Sequence, residues 1–188
     1  MKLELSLLNY LKSKQNILVL KQKDLTNQML TATKSSKINI SEEKKTKLIS
    51  ENFSENLKQK DILFLHGEIG VGKTTFIKYV INYLQKKNKQ EITEVPSPTF
   101  NLVNEYKIGR LFIKHCDLYR IKKESEIKNL GIFENVSEQI TLVEWPELLK
   151  LEKYKQKIDL FFEYNEELDE RFLTIKSNNE TSFINEFE

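Results

Sequence analysis

Cysteine is nearly absent from this chain of 188 residues, because Cys116 stands alone. No intramolecular disulfide can form, and with only two histidines the chain has no Cys/His metal set. Long hydrophobic runs are also missing, and the apolar run at 17–20 is too short to span a bilayer. The N-terminal region contains Glu4 and no compact apolar segment, so we expect no secretory signal, no membrane association and a cytoplasmic location.

An excess of charge of one sign is lacking as well. The chain has 30 Lys and Arg against 28 Asp and Glu, a formal net charge of +2. Glutamates are interleaved with the lysines between Lys34 and Lys60, which favours solvated faces, with a tRNA-facing surface as the alternative. At this length we expect one domain with a substantial core.

Glycine is scarce, yet three of the five glycines, Gly67, Gly70 and Gly72, fall within six residues. They belong to the stretch GEIGVGKT at 67–74, which has the pattern Gly-x-x-x-x-Gly-Lys-Thr. An apolar run precedes it and an amphipathic segment at 76–84 follows it, so the pattern predicts the strand, loop and helix of a phosphate-binding P-loop. A surface turn is the alternative, but a plain turn needs one glycine and no Lys-Thr pair.

The chemistry of such a loop assigns roles to the residues that follow the glycines. Glycines let successive backbone N–H groups form a concave nest, and the start of the next helix adds its positive dipole end. In this arrangement Lys73 would reach the β- and γ-phosphates, and the hydroxyl of Thr74 would hold Mg²⁺.

The rest of the chain predicts an α/β P-loop nucleoside triphosphate hydrolase fold. Its central sheet is mostly parallel and flanked by helices, and a C-terminal hairpin follows. The expected domain covers 37–178, after an N-terminal extension at 1–36 and before a frayed tail at 179–188. We expect helices at 41–60, 73–84 and 125–130. The first of them starts with a capping signature at 41–44 and ends in basic residues. We expect strands at 38–40, 62–65, 102–106, 111–116, 140–143, 157–164 and 171–176. A short helix at 3–11 and a strand at 15–20 are further expectations.

Two carboxylates stand at predicted strand ends. In open α/β sheets ligands bind at the carboxyl ends of the strands, where Asp117 and Glu144 would meet the P-loop. A P-loop hydrolase needs an acidic partner for Mg²⁺ and a group that orients the attacking water, and these two residues are placed to share those tasks. The alternative for each is a helix cap or a surface carboxylate.

Other residues near these strand ends are secondary candidates. Thr99, in a loop held by two prolines, is a candidate switch that contacts the γ-phosphate or Mg²⁺ in the ATP state, with a turn residue as the alternative. Trp145 is a candidate site residue, with core packing as the alternative. Arg120 is a candidate for binding phosphate or a partner, with a surface salt bridge as the alternative. We assign no chemistry to His115 or Cys116, because adjacent strand residues point to opposite faces, which disfavours a Cys–His nucleophile pair.

Four motifs occur in one order that resembles a known family. They are GEIGVGKTTF at 67–76, SPTFNLV at 97–103, HCDLYR at 115–120 and LVEWPE at 142–147. Together they resemble the TsaE (YjeE) family of small bacterial P-loop ATPases, over about residues 38–176. Glu68 stands where Asp is usual, Cys116 stands at a usually bulkier apolar position, and the N-terminal extension is atypical.

The resemblance implies a function and a set of site residues. Members bind ATP with Mg²⁺, hydrolyse it weakly alone, and act with the TsaD–TsaB pair, and through it indirectly with tRNA, in making the threonylcarbamoyl group on adenosine beside the anticodon. Mg²⁺ would be held by Thr74 with Glu144, with Asp117 as the other acidic candidate. Thr46 would lie near the base, and Arg171 is a weaker match. The implied nucleotide contacts are Glu68, Ile69, Gly70, Val71, Gly72, Lys73, Thr74 and Thr75.

Two other classes of function stay open at this point. A small-molecule P-loop kinase needs an acceptor pocket and usually a lid with several arginines, and this chain has only Arg110, Arg120 and Arg171. A nucleotide-gated binding module with negligible hydrolysis needs the same phosphate cradle as a slow ATPase, so the sequence does not separate the two.

Overall fold

The computed structural model describes residues 37–154 and 157–177. The N-terminal extension at 1–36, with the helix and strand predicted in it, and the tail at 179–188 lie outside the described residues. The strands are β1 (Ile38–Asn39), β2 (Ile62–His66), β3 (Val103–Ile108), β4 (Leu111–Asp117), β5 (Gln139–Glu144), β6 (Ile158–Tyr164) and β7 (Arg171–Ser177). The α-helices are α1 (Glu43–Glu55), α2 (Lys73–Lys87) and α3 (Glu124–Asn129).

The strands form one mixed sheet in the order β1-β7-β6-β2-β5-β4-β3. The four central strands are parallel, since β2 pairs in parallel with both β5 and β6, and β5 pairs in parallel with β4. The outer pairings are antiparallel, including the β6–β7 hairpin and the short edge strand β1 on β7. The predicted α/β class, the parallel centre and the C-terminal hairpin are therefore confirmed.

Both faces of the sheet are covered. The larger apolar cluster lies between the sheet and the helices α1 and α2, and includes Ile49, Phe76 and Leu160. The other cluster lies under α3 and the segments after β4 and β5, and includes Phe64 and Val143. Parallel strands covered on both faces are apolar at successive positions, which explains the run at 62–65. None of the described helices is long and apolar enough to cross a membrane.

The predicted limits of α1 are wrong at both ends. The helix begins at Glu43 and no side chain caps it, because the Ser41 hydroxyl accepts a hydrogen bond from the backbone N–H of Arg171 instead. It ends at Glu55, and no basic residue lies in its last turn. Lys60 has a φ of 81° and donates its N–H to the carbonyl of Gln139, so residues 58–60 form the connection to β2.

The predicted end of α2 is also too early. The helix continues past Leu84 to Lys87. Two lysines lie in its last turn, where their positive charges interact favourably with the negative end of the helix dipole. Gln85, which lies just beyond the predicted end of the helix, is buried, and its amide group bonds to both the hydroxyl and the backbone N–H of Thr93. This contact ties the segment after α2 to the helix, which no local pattern shows.

Candidate functional site

Three parallel strands deliver the candidate site residues to one edge of the sheet. β2 leads into the P-loop, β4 ends at Asp117, and β5 ends at Glu144. In the strand pairing, Asp117 of β4 lies opposite Glu144 of β5. On its other side, Glu144 lies opposite Leu65 of β2. The prediction that the P-loop and both carboxylates meet at the carboxyl ends of the strands is therefore confirmed.

The backbone of the P-loop requires glycine at its first position. Gly67 has a φ of 132°, and a Cβ atom there would lie 2.3 Å from the backbone oxygen of Phe162 on β6. Gly70 and Gly72 also have positive φ values, 79° and 115°. The glycines therefore let the loop leave β2 in contact with β6 and turn back into α2.

The start of α2 is open at the loop. Its first helical hydrogen bond runs from the N–H of Phe76 to the carbonyl of Gly72, at 3.0 Å. The backbone N–H groups of Lys73, Thr74 and Thr75 therefore lie outside the helical ladder, and no acidic side chain occupies the first turn. Free N–H groups together with the positive end of a helix dipole form an anion-binding position.

Lys73 is held under the loop rather than extended into solvent. Its Nζ donates hydrogen bonds to the carbonyl oxygens of Gly67 and Glu68, at 2.7 and 2.8 Å. The same atom lies 3.9 Å from the centre of the Trp145 ring. Burial lowers the pKa of Lys73 from its usual value, and the carboxylates of Glu144, Asp117 and Glu147 oppose that shift. A buried cation thus stands beside two buried carboxylates, with the free N–H groups next to it.

Glu144 is only 2% exposed and is hydrogen-bonded at both of its oxygens. The hydroxyl of Thr74 donates to Oε1 and Oε2, at 2.8 and 3.0 Å. His115 Nε2 lies 2.9 Å from Oε1. The residue predicted to hold Mg²⁺ from the P-loop and the carboxylate predicted to help it are therefore in direct contact.

Asp117 is bonded to the proline-held loop at 96–100. Its Oδ2 accepts hydrogen bonds from the hydroxyls of Thr99, at 2.6 Å, and Ser97, at 3.4 Å. Its Oδ1 accepts from the backbone N–H of Tyr119 at 2.9 Å. The acidic candidate on β4 and the predicted switch residue therefore form one unit on the side of the cleft away from the P-loop.

Two clefts meet at the P-loop. The first, which we call the P-loop cleft, is lined by Ile69, Gly70, Gly72, Lys73, Thr74, Thr75, Ser97, Thr99, Asp117, Tyr119, Glu144 and Trp145. The second, which we call the side cleft, is lined by Glu43, Thr46, Val71, Gly72, Thr75 and Arg171. The predicted site residues line one or the other, except the secondary candidate Arg120 and Glu68, whose carbonyl bonds to Lys73.

The side cleft brings together two residues that are far apart in the sequence. The Thr46 hydroxyl donates to the carbonyl of Ile40 at 3.2 Å, and the Arg171 guanidinium donates to the carbonyl of Ser41 at 3.1 Å. The segment between β1 and α1 therefore positions both side chains beside the loop.

The remaining secondary candidates pack on the rim of the P-loop cleft. Trp145, at a φ of 58°, lies against Tyr119, with ring centres 4.9 Å apart. The Arg120 guanidinium lies 4.6 Å above the ring of Phe100, which is 81% exposed. Trp145 thus lines the P-loop cleft and also packs against the core, and the described contact of Arg120 is with an aromatic ring.

Sequence reasoning missed several residues of the two clefts. Ser97, Tyr119 and Glu43 line them, and His115 contacts Glu144 from behind. A signal for His115 was present, since a spacing of two residues places it on the same face of β4 as Asp117. Cys116, on the opposite face, is also fully buried, because both faces are covered, and burial raises its pKa to about 12.

Comparison with known proteins identifies the family of the chain. The family model described as threonylcarbamoyl adenosine biosynthesis protein TsaE matches residues 40–173. The chain is 42% identical over 111 residues to the tRNA threonylcarbamoyladenosine biosynthesis protein TsaE of Rickettsia bellii, covering 59% of this chain and 74% of that protein. It is 34% identical over 148 residues to the protein of the same name from Rickettsia felis, covering 79% and 84%.

A solved structure is similar as well. The crystal structure of Bacillus subtilis YdiB superposes with a TM-score of 0.61 and 26% sequence identity, covering 78% of this chain and 87% of that one. The matched region of the family model contains β2 to β6, the first three residues of β7 and the residues of both clefts, whereas β1 lies just before it. This chain therefore belongs to the TsaE family, whose role lies in the biosynthesis of threonylcarbamoyladenosine in tRNA.

Proposed function

We propose that this protein is a weak Mg²⁺-dependent ATPase that works in the cytoplasm as an accessory subunit of tRNA threonylcarbamoylation. It is required for formation of the threonylcarbamoyl group on adenosine next to the anticodon, and it acts with the TsaD–TsaB complex, through which it serves tRNA indirectly. The observation that carries the proposal is the direct bond between Thr74 of the P-loop and Glu144 of β5, beside the buried cation Lys73.

The phosphate groups of ATP fit the loop and the start of α2. The N–H groups of the first helical turn, which lie outside the helical ladder, supply donors, and Lys73 supplies a full positive charge. The two carbonyl contacts of Lys73 hold its Nζ at the loop. Such a preorganised cation neutralises phosphate charge without having to be moved or ordered at the moment of reaction.

The donor set next to the loop suits Mg²⁺. Mg²⁺ prefers oxygen ligands and is usually held by one or two carboxylates together with substrate phosphates and water. The oxygens of Thr74 and Glu144 provide this set, and when bound the ion would neutralise charge on the phosphates. Within 37–154 and 157–177 no cluster of three or more His, Cys, Asp or Glu side chains is arranged to hold a metal.

The contacts of the two carboxylates divide their tasks. Because Glu144 is bonded to Thr74, we assign it to the metal, and Asp117, bonded to Thr99, to orientation of the attacking water. The bond from Thr99 couples the position of the loop at 96–100 to that carboxylate. A change at the phosphates is therefore passed to the exposed ring of Phe100, where a partner protein would sense it.

The side cleft is where we place the rest of the nucleotide. It shares Gly72 and Thr75 with the P-loop cleft, so a ligand whose phosphates bind the loop reaches it without crossing the protein. Thr46 and Arg171 lie there and are both held by backbone carbonyls. We assign them to the base and sugar of the nucleotide.

The test is ATP turnover by the purified chain, alone and with the TsaD–TsaB pair of its own organism plus tRNA. We expect slow turnover alone, stimulation by the pair, and a loss of about 100-fold or more in Lys73→Ala. Lys78→Ala is the matched control, since Lys78 is an exposed lysine on the same helix. Equal turnover in Lys73→Ala and the wild type would refute the proposal.

The same experiment separates the other classes of function. Firm ATP binding with no turnover in the presence of the pair would favour a nucleotide-gated binding module. Turnover that needs a small phosphate acceptor would favour a kinase. The structure gives the kinase hypothesis little support. Arg110 directly precedes β4, whereas Asp117 ends it, so the two residues lie at opposite ends of that strand. Only Arg120 and Arg171 remain near the clefts.

A further inference from the structure

We propose that His115 is a positioning residue for the magnesium site. Its Nε2–H fixes one oxygen of Glu144, so that the other oxygen stays available to Thr74 and the metal. This inference rests on the proposed function, in which Thr74 and Glu144 hold Mg²⁺. It assigns a task to a fully buried histidine that the nucleotide itself would not touch.

The register of the sheet builds the contact. His115 and Asp117 lie two residues apart on β4, so their side chains share a face, and Asp117 is registered opposite Glu144 on β5. His115 is 0% and Glu144 2% exposed, and their atoms are 2.9 Å apart. A bond between two side chains enclosed in the sheet is held in one geometry, unlike an ion pair on a surface.

The surroundings of the ring decide where its proton lies. An ionised carboxylate only accepts hydrogen bonds, so Nε2 must be the donor to Glu144. The other nitrogen, Nδ1, is buried and has no hydrogen-bond partner among the described residues. A proton on Nδ1 would leave a buried N–H without an acceptor, which is more costly than a bare lone pair. The geometry therefore assigns the Nε2–H tautomer, whose proton points at Glu144.

The two oxygens of Glu144 are held differently. Oε1 accepts from both His115 and Thr74, whereas the described bond of Oε2 is with Thr74 alone. A Thr74 hydroxyl that binds the metal through its oxygen still has one proton to donate, so His115 supplies the second hydrogen bond that fixes the carboxylate. Groups that orient a metal ligand in this way typically change metal affinity by about 10–100-fold when they are removed.

The experiment measures how binding of fluorescent methylanthraniloyl-ATP depends on the MgCl₂ concentration. We expect His115→Leu, which lacks a donor, to need about 10-fold more MgCl₂ for half-maximal binding, with unchanged affinity in EDTA. His115→Gln, whose amide N–H can replace Nε2–H, is expected to stay within about 3-fold of the wild type. Cys116→Ala is the matched control, because Cys116 is equally buried on β4 but faces away from Glu144.

A second readout needs no nucleotide. Nitrogen-15 NMR of the side chains of the two histidines reports the tautomer of each ring, and loss of one signal in His115→Gln assigns it. The Nε2–H tautomer is expected, and the Nδ1–H tautomer would overturn the inference even if the Leu variant failed to fold.

The outcomes separate this inference from the proposed function. Binding of methylanthraniloyl-ATP by the wild type, with the same MgCl₂ dependence in His115→Leu, overturns the role of His115 alone. Equal losses in the Leu and Gln variants would show that ring packing rather than the donor matters, which also overturns it. Absence of nucleotide binding by the wild type would instead overturn the proposed function and, with it, this role.

Discussion

Replacing Gly67 by alanine should destabilise the fold more than the same change at Gly72. At both positions φ lies in the positive region that favours glycine, 132° and 115°. An L-residue forced into such a conformation costs about 1–3 kcal/mol. At Gly67 the new Cβ would also lie 2.3 Å from the backbone oxygen of Phe162, whereas at Gly72 no atom lies within 4 Å.

The difference between the two variants isolates the steric clash. Phe162 lies on β6, in the middle of the sheet, so its carbonyl cannot move without disturbing the strands beside it. Overpacking of this kind costs about 1–3 kcal/mol in addition to the conformational strain. We therefore expect the free energy of unfolding to fall by about 1–3 kcal/mol in Gly72→Ala and by about 2–6 kcal/mol in Gly67→Ala.

Urea unfolding of the nucleotide-free protein, followed by far-ultraviolet circular dichroism, measures both losses. The slope of the free energy against urea concentration should be the same in the two variants, so that the midpoints report stability alone. Each 1 kcal/mol should lower Tm by roughly 2–4 °C in a domain of this size. Equal midpoints for the two variants would refute the reasoning, because they would show that the loop leaves β6 when a side chain is present.

Three further predictions concern the carboxylates. Glu144→Ala should slow ATP turnover by about 100-fold while affinity for ATP in EDTA stays the same, and wild-type turnover would rule out its assigned role. Thr99→Val removes the hydroxyl bonded to Asp117 and should reduce the ratio of ATP to ADP affinity, so an unchanged ratio in competition titrations would contradict the switch. Burial raises the pKa of Asp159, but the hydrogen bonds from His66 and Lys157 lower it by more. The pKa of this carboxyl therefore lies below its usual value of 3.8. Its ionised form therefore stabilises the fold above about pH 4, and this contribution is lost as pH falls through the lowered pKa. Asp159→Asn should cost about 1 kcal/mol at pH 7 and less at pH 3 in urea unfolding, and equal losses would contradict the prediction.

The candidate site was largely predictable because its chemistry lies in short stretches. Lys73 and Thr74 follow the loop glycines directly, and the loop requires all of them within a few residues. Asp117 and Glu144 were found because each ends an apolar run, and parallel strands bring such ends to one edge. The same argument does not say which residue contacts which. The bond of Thr74 to Glu144 and that of Thr99 to Asp117 are visible only in the folded chain.

The errors in the sequence-based prediction arose where distant segments compete for a local group. Ser41 looks like a helix cap, but its hydroxyl accepts from the N–H of Arg171 in β7. Lys60 looks like the end of a helix, but its N–H bonds to Gln139 in β5. In both cases a bond across the sheet replaced the local one, and spacing within a helix contains no information about it.

Local sequence by itself determined the order of strands and helices, the P-loop and the residue types that can hold phosphate and Mg²⁺. These features depend on backbone conformation and on side-chain chemistry within a few residues, which the sequence states directly. Tertiary structure alone decided the partners: His115 behind Glu144, Arg171 beside Thr46, and the carbonyl of Phe162 against Gly67. The physical reason is that strand register and sheet order set these contacts, and both depend on how the whole core packs.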